Sequence, residues 1–140
     1  MGTICASVLS ADHPLRLLLA EPRRAGFRPY DSLWLRLVDI EAAFAVRSFA
    51  GDGSVVFDVR DAFCEWNAGR WAIDAGGAKR TDAAPELALD VSDLGATYLG
   101  GFAFRDLAEA GRVAELRPGV LARADALFRT EYAPFNAEIF

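Results

Sequence analysis

The chain has 140 residues, 53% hydrophobic and 25% charged, and its 15 Lys+Arg against 20 Asp+Glu leave a formal charge of −5. A chain of this size can bury roughly 70% of its unfolded surface with no metal or disulfide staple, and its longest charge-free stretches, 1–11 and 94–104, fall short of the ~20 apolar residues of a membrane span. The acidic excess argues against a phosphate-backbone binder, which depends on clustered Lys and Arg.

Residues 1–11 lack the basic start of a secretory signal, and Ala6 stands where a myristoylation motif wants Ser or Thr, so a cytoplasmic location is expected. Over 12–21, Leu15, Leu18 and Leu19 recur at helical spacing, with Asp12 able to cap the start and Pro22 to stop it. His13 precedes Pro14 at that start and reads as a capping or packing histidine. A loop is expected over 23–31; the local bunch Arg16, Arg23, Arg24 and Arg28 reads as a solvated or partner-facing segment, too small for a nucleic-acid site. Leu33, Leu35 and Leu37 alternate with Trp34 and Arg36 and predict a strand, and a short helix follows over 41–47.

Gly51-Asp52-Gly53 signals a turn, after which Val55, Phe57 and Val59 alternate with Val56, Asp58 and Arg60 as a half-buried strand. Trp71 and Ile73 repeat that alternation, as do Leu87, Leu89 and Val91. Helices are expected from a Ser92 or Asp93 cap to Leu99, from about Phe104 to Ala110 with Gly111 as the left-handed stop, and from near Pro118 with the stripe Val120, Leu121, Ala124, Leu127, Phe128. Strands grouped before helices indicate an α+β fold, in which the helices cover the apolar face of the sheet.

Candidate chemistry is sparse. Two cysteines, Cys5 and Cys64, and the single His13 cannot assemble a zinc site of the usual Cys and His ligands or a convincing Ser-His-Asp triad. The densest cluster is Asp61-Ala62-Phe63-Cys64-Glu65-Trp66-Asn67-Ala68-Gly69. On residue types it reads as a turn, with Asn67 and Gly69 suited to tight geometry and Phe63 and Trp66 closing the end of the core. The acidic neighbours of Cys64 disfavour a nucleophilic thiolate. The pairs Asp58 with Asp61 and Asp90 with Asp93 read as surface acids or helix caps rather than acid/base couples. Gly76-Gly77 and Gly100-Gly101 do not continue into a phosphate-cradling loop. The C-terminus, Tyr132-Ala133-Pro134-Phe135-Asn136-Ala137-Glu138-Ile139-Phe140, is too apolar for an ordinary frayed end and reads as a docked tail, packed for stability.

Taken together, His13-Pro14-Leu15, Asp31-Ser32-Leu33-Trp34-Leu35-Arg36-Leu37-Val38-Asp39-Ile40, Asp61…Cys64…Trp66-Asn67…Gly69…Trp71, Tyr98-Leu99-Gly100-Gly101 and Ala122-Arg123-Ala124-Asp125-Ala126-Leu127-Phe128 through Phe140 carry a family signature. In order and spacing they resemble the C-terminal third of the enhanced-intracellular-survival (Eis) type of GNAT N-acetyltransferase. The resemblance implies a sterol-carrier-protein-like α+β fold, with a mixed or antiparallel sheet of about five strands covered by helices on one face. The implied layout is a lead-in over 1–30, from the end of an acetyltransferase-like domain, and the sterol-carrier-like domain over 31–140.

Family members acetylate amines with acetyl-CoA, carry two acetyltransferase-like domains upstream and assemble as hexamers. Their terminal carboxylate reaches the active site of the first domain and accepts a proton from the substrate amine. That role transfers to Phe140, the last residue here, and Glu138 is a candidate for attracting the cationic substrate. The Arg/Gln-x-x-Gly-x-Gly/Ala pattern that cradles CoA phosphates does not occur, so no cofactor is expected on this chain, and the expected partners are the acetyltransferase domains of a complete enzyme and further copies of the chain. The competing expectation is a stand-alone carrier holding a lipid or small apolar molecule in a sterol-carrier-like cavity, against which a filled core would argue.

Overall fold

The computed structural model describes residues 8–30 and 33–137. These fall into two compact units, one formed by the described residues of 8–34 together with 132–137 and the other by Leu35–Glu131. The first holds a single-turn helix, α1 (Leu15–Leu18), and a 3-10 turn over Pro22–Ala25. None of its described residues is buried. The predicted helix over 12–21 therefore shrinks to four residues. Asp12 does not cap it; His13 Nδ1 accepts from Leu15 N–H at 3.1 Å, the capping role read from the sequence.

The second unit is built on a five-stranded mixed sheet in the order β3-β2-β1-β4-β5. Its strands are β1 (Ser54–Arg60), β2 (Gly69–Asp74), β3 (Gly77–Arg80), β4 (Leu87–Asp90) and β5 (Ala114–Glu115). β1 runs parallel to β4, and every other pairing is antiparallel. Register explains why one face is apolar throughout. Val55 sits opposite Ile73, Phe57 opposite Trp71 and Leu87, and Val59 opposite Leu89, and all of these are buried. The sequence alternation thus identified β1, β2 and β4, except that Val91, read as the last inward residue of the β4 alternation, is the first residue of the helix that follows, because Asp90 caps that helix. Short β3 and two-residue β5 carry too few alternating positions to be read that way.

Helices α2 (Ile40–Ala45), α3 (Val91–Tyr98), α4 (Phe104–Glu109) and α5 (Val120–Phe128) supply the cover. Asp39 caps α2 by accepting from Ala42 N–H at 2.9 Å. Asp90, rather than Ser92 or Asp93, caps α3 by accepting from Ser92 N–H at 2.9 Å. The α4 start has Ala103 at its cap position, and the missing oxygen arrives from α5, where Asp125 accepts from Phe104 N–H at 2.7 Å. Gly111 takes φ +72° just beyond α4, as expected of a left-handed stop. The α5 stripe buries Val120, Ala124, Leu127 and Phe128, with Leu121 partly buried beside them.

Aromatic rings fill the space between sheet and helices. Phe128 packs edge-on against Phe44, Phe49, Phe57 and Phe104, with centroids 4.9–5.9 Å apart. Arg47, which the sequence placed at the end of a helix, lies beyond α2 and ties two other helices together. Its Nε donates to Tyr98 O and its Nη2 to Phe128 O, both at 2.7 Å, at the C-terminal ends of α3 and α5. The guanidinium stands over the rings of Phe49 and Phe128, and burial lowers its pKa.

The strand expected across Leu33, Leu35 and Leu37 does not form. Leu37 is buried, whereas Leu33 and Leu35 are exposed. The carbonyls of Leu37 and Val38 find partners in side chains of the 61–69 loop instead of a neighbouring strand.

Candidate functional site

The expected catalytic group, the carboxylate of Phe140, and the expected substrate-attracting Glu138 both lie outside the described residues. The tail leading to them is described as far as 137. Its backbone is anchored where Ala133 N–H donates to Asp12 Oδ2 at 2.9 Å. That bond is the main reason the Asp12 carboxyl sits below its ordinary pKa, followed by the Ser10 side chain. Tyr132 and Phe135 are exposed, so the described part of the tail is not packed into a core as its composition suggested. The physical reason is local: the unit that holds it has no buried described residue to pack against.

The 61–69 loop is more highly organised than its reading as a plain turn. Asp61, almost fully buried, accepts at Oδ1 from Arg36 Nη2 (2.6 Å), Phe63 N–H (3.0 Å) and Cys64 N–H (2.9 Å), and at Oδ2 from Asn67 Nδ2 (3.1 Å). Burial alone would raise the Asp61 pKa. The Cys64 N–H, the Asn67 amide, the Phe63 N–H and the Arg36 charge together outweigh it and leave the pKa lowered. The network therefore favours the charged form of Asp61.

Asn67, 1% exposed, uses its whole side chain. Oδ1 accepts from Ile40 N–H at 3.1 Å, and Nδ2 serves Leu37 O, Val38 O and Asp61 Oδ2, each at 3.1 Å. Two amide hydrogens meeting three acceptors means that one is shared. The Asn67 carbonyl accepts from Trp71 Nε1 at 2.7 Å. No described non-glycine residue has positive φ, so Asn67 is not a left-handed turn residue; Gly69, at φ +115°, takes that geometry. Arg80 closes the loop by donating to Ala68 O at 2.6 Å and to Trp66 O. Cys64 is a free thiol in the interior.

Phe63 and Trp66, expected to seal the core, instead stand out from it, 81% and 61% exposed. Arg36 lies over the Phe63 ring at 5.2 Å, and Trp66 Nε1 donates to Val38 O at 2.8 Å.

Of the other candidate acids, Asp58 is half-buried on β1, and two have defined partners. Asp90 is a helix cap, and Asp93 pairs with Arg112 Nε at 2.6 Å. Glu86, which sequence reasoning did not single out, is buried and accepts from Arg117 Nη1 (2.9 Å), Arg123 Nη2 and Val56 N–H (3.1 Å). Burial pushes its pKa up, but the Arg123 bond and charge, the Val56 N–H and Arg117 overcome this and lower it. Its only sequence signal was a carboxylate at the start of an alternating strand. An open groove beside it is lined by Ser54, Val56, Pro85, Glu86, Arg117 and Arg123. Among the described residues, no group of three or more His, Cys, Asp or Glu is placed to hold a metal, and no helix is long and apolar enough to cross a membrane. The described residues form a scaffold with fixed charges, and its ring-filled interior argues against a lipid cavity.

Comparison with known proteins agrees with this picture. Residues 40–137 match the sterol carrier protein domain model. An uncharacterized N-acetyltransferase of Streptomyces avermitilis is 48% identical over 84% of this chain and 30% of its own length. The N-acetyltransferase Eis of Mycobacterium tuberculosis is 35% identical over 84% of this chain and 30% of its own length. The crystal structure of an Eis protein from Mycobacterium abscessus superposes with a TM-score of 0.82 at 41% identity, covering 93% of this chain and 34% of that one. The chain thus spans about a third of the length of the relatives it matches, and the matched third is their C-terminal part.

Proposed function

The chain belongs to the sterol carrier protein domain family, and from that membership we propose that it is the C-terminal accessory domain of an Eis-like, acetyl-CoA-dependent amine N-acetyltransferase. In this reading it is inactive alone, with 31–140 as the domain body and 1–30 as the lead-in from acetyltransferase-like domains. It supplies oligomer contacts and the Phe140 carboxylate to the active site. The observation that supports it is the match of most of the chain to one third of N-acetyltransferases, at 35–48% identity in the two relatives above. The ring-filled core weighs against the competing carrier reading.

The chemistry assigned to the terminus follows from charge. An alkyl amine resembling Lys, with a pKa near ~10.4, is protonated at neutral pH and is no nucleophile until the proton leaves. An α-carboxylate, with a reference pKa of roughly 3.5, is a weak base but a dependable anion. In a closed site it holds the ammonium and accepts its proton, directly or through water, while Glu138 adds a second negative charge. This chain lacks the CoA-phosphate motif, so in this reading the acetyl donor is assigned to the acetyltransferase part.

The test uses the complete enzyme. Deleting Phe140, or appending residues after it, is expected to lower turnover at least ~10-fold while leaving the melting temperature unchanged. Undiminished turnover with a blocked terminus would remove the role. In parallel, adding this chain to separately produced acetyltransferase domains should restore acetylation; failure where the intact enzyme works would count against the accessory-domain reading.

A further inference from the structure

We propose that the groove beside Glu86, where Arg117 and Arg123 meet the Ser54 end of β1, is a binding site for a small, singly charged carboxylate with a short aliphatic body. The site uses only residues of the Leu35–Glu131 unit, and it stands whether or not the accessory-domain reading does.

The sheet itself opens the groove. β4 pairs with β1 only from Phe57↔Leu87 to Arg60↔Asp90, and just below that register Glu86 N–H donates to Val56 O at 2.8 Å. Ser54 precedes these positions, so on this side β1 runs out beside Ala83, Ala84 and Pro85 instead of beside a strand. Leu116, Arg117 and Arg123 complete the lining of a space of about 660 Å³, within the ~300–1,000 Å³ range of small-ligand sites. Val56, Pro85 and Leu116 offer aliphatic contact, and the charge is gathered where the two guanidiniums converge on Glu86.

Charge selects the ligand. Glu86 Oε1 accepts from both Arg117 Nη1 and Arg123 Nη2, while Oε2 is occupied by Val56 N–H. Two cations on one carboxylate leave a local excess of one positive charge in a chain whose total is −5. Glu115, close by in sequence, accepts from Leu121 N–H and does not line the groove. Each guanidinium carries several N–H donors and gives one to Glu86. The Arg117 and Arg123 side chains remain 68% and 38% exposed, so the pair is open to a ligand.

The cations are held in advance. Glu86 is buried and fixed by the backbone, and it fixes both arginines, so a ligand need not order them on arrival. A planar carboxylate matches the guanidinium fork, and one negative charge balances the local excess. A phosphate dianion would set its second charge against Glu86, and two cations are too few to follow a nucleic-acid backbone.

The experiment titrates the 140-residue chain, at low chloride and neutral pH, with 4-methylpentanoate, with its uncharged amide and with inorganic phosphate. Backbone and arginine side-chain resonances are followed by proton–nitrogen NMR. Support is a saturable shift confined to the groove, at Val56, Glu86, Arg117 and Arg123, with a Kd of about 1 mM or tighter. Binding should weaken at least ~10-fold for the amide and for the chain carrying Arg117→Gln, which leaves Glu86 paired with Arg123 and should leave melting unchanged. Arg123→Gln, read in the same way, covers the case in which Arg117→Gln disturbs the approach to α5. No saturation by ~10 mM, a smaller loss with the amide or in both arginine variants, or shifts spread over the whole surface would overturn the site. Tighter binding of phosphate than of the carboxylate would assign the groove to anions at large and overturn the ligand class.

Discussion

Replacing Asn67 by alanine removes the side chain on which the 37–40 segment hangs. The loss strands Ile40 N–H, Leu37 O and Asp61 Oδ2, whereas Val38 O keeps its bond from Trp66 and the Asn67 carbonyl keeps its bond from Trp71. Each buried group left unsatisfied costs about 1–3 kcal/mol. Allowing for water reaching part of the vacated space, the sum is about 3–5 kcal/mol, a large share of the ~5–15 kcal/mol that holds a typical domain together. With a urea slope of about 2 kcal/mol/M, the midpoint should fall by roughly 2 M, read by far-UV circular dichroism. Amide exchange should accelerate first at Ile40, because that N–H has lost its acceptor. A destabilisation below ~1 kcal/mol, or faster exchange spread evenly over the domain, would refute the claim that this one side chain organises the segment.

Substituting Arg47→Met removes two charge-assisted bonds to the carbonyls ending α3 and α5 and should cost about 2–3 kcal/mol. Arg47→Lys should recover less than half of this, because one ammonium cannot reproduce the planar fork that reaches both carbonyls; full rescue by Lys in urea titrations would argue against bidentate capping. Acid sensitivity follows from Asp61 and Glu86, whose pKa values are lowered in the folded state. Such groups contribute stability that is fully present above their unfolded pKa of about 4 and is lost as pH falls through the folded value. The urea midpoint should therefore hold between about pH 7 and 5 and drop below about pH 4. Asp61→Asn should lower the midpoint at neutral pH and make the acid limb shallower; an unaltered limb would show that Asp61 is not one of the linked groups.

Sequence periodicity determined much of this domain because each of its signals is local. Alternation at Val55, Phe57 and Val59, at Trp71 and Ile73, and at Leu87 and Leu89 marks strands with one buried face, and the 120–128 stripe marks a helix with one buried side. The ordered motifs also sufficed to identify the family, since several agree in register where one alone is weak.

Tertiary structure alone decided the roles that act across long separations in the chain. Asn67 bonds backbone 27–30 residues away, and Arg47 reaches carbonyls 51 and 81 residues on. Asp125 caps a helix that begins 21 residues before it. The same distance effect turned an alternating Leu33–Leu37 run into irregular chain and turned Phe63 and Trp66 outward. Alternation reports that a segment can present two faces; whether a partner strand, a side-chain amide or a core lies opposite is set by where the rest of the chain arrives, and no local pattern records that.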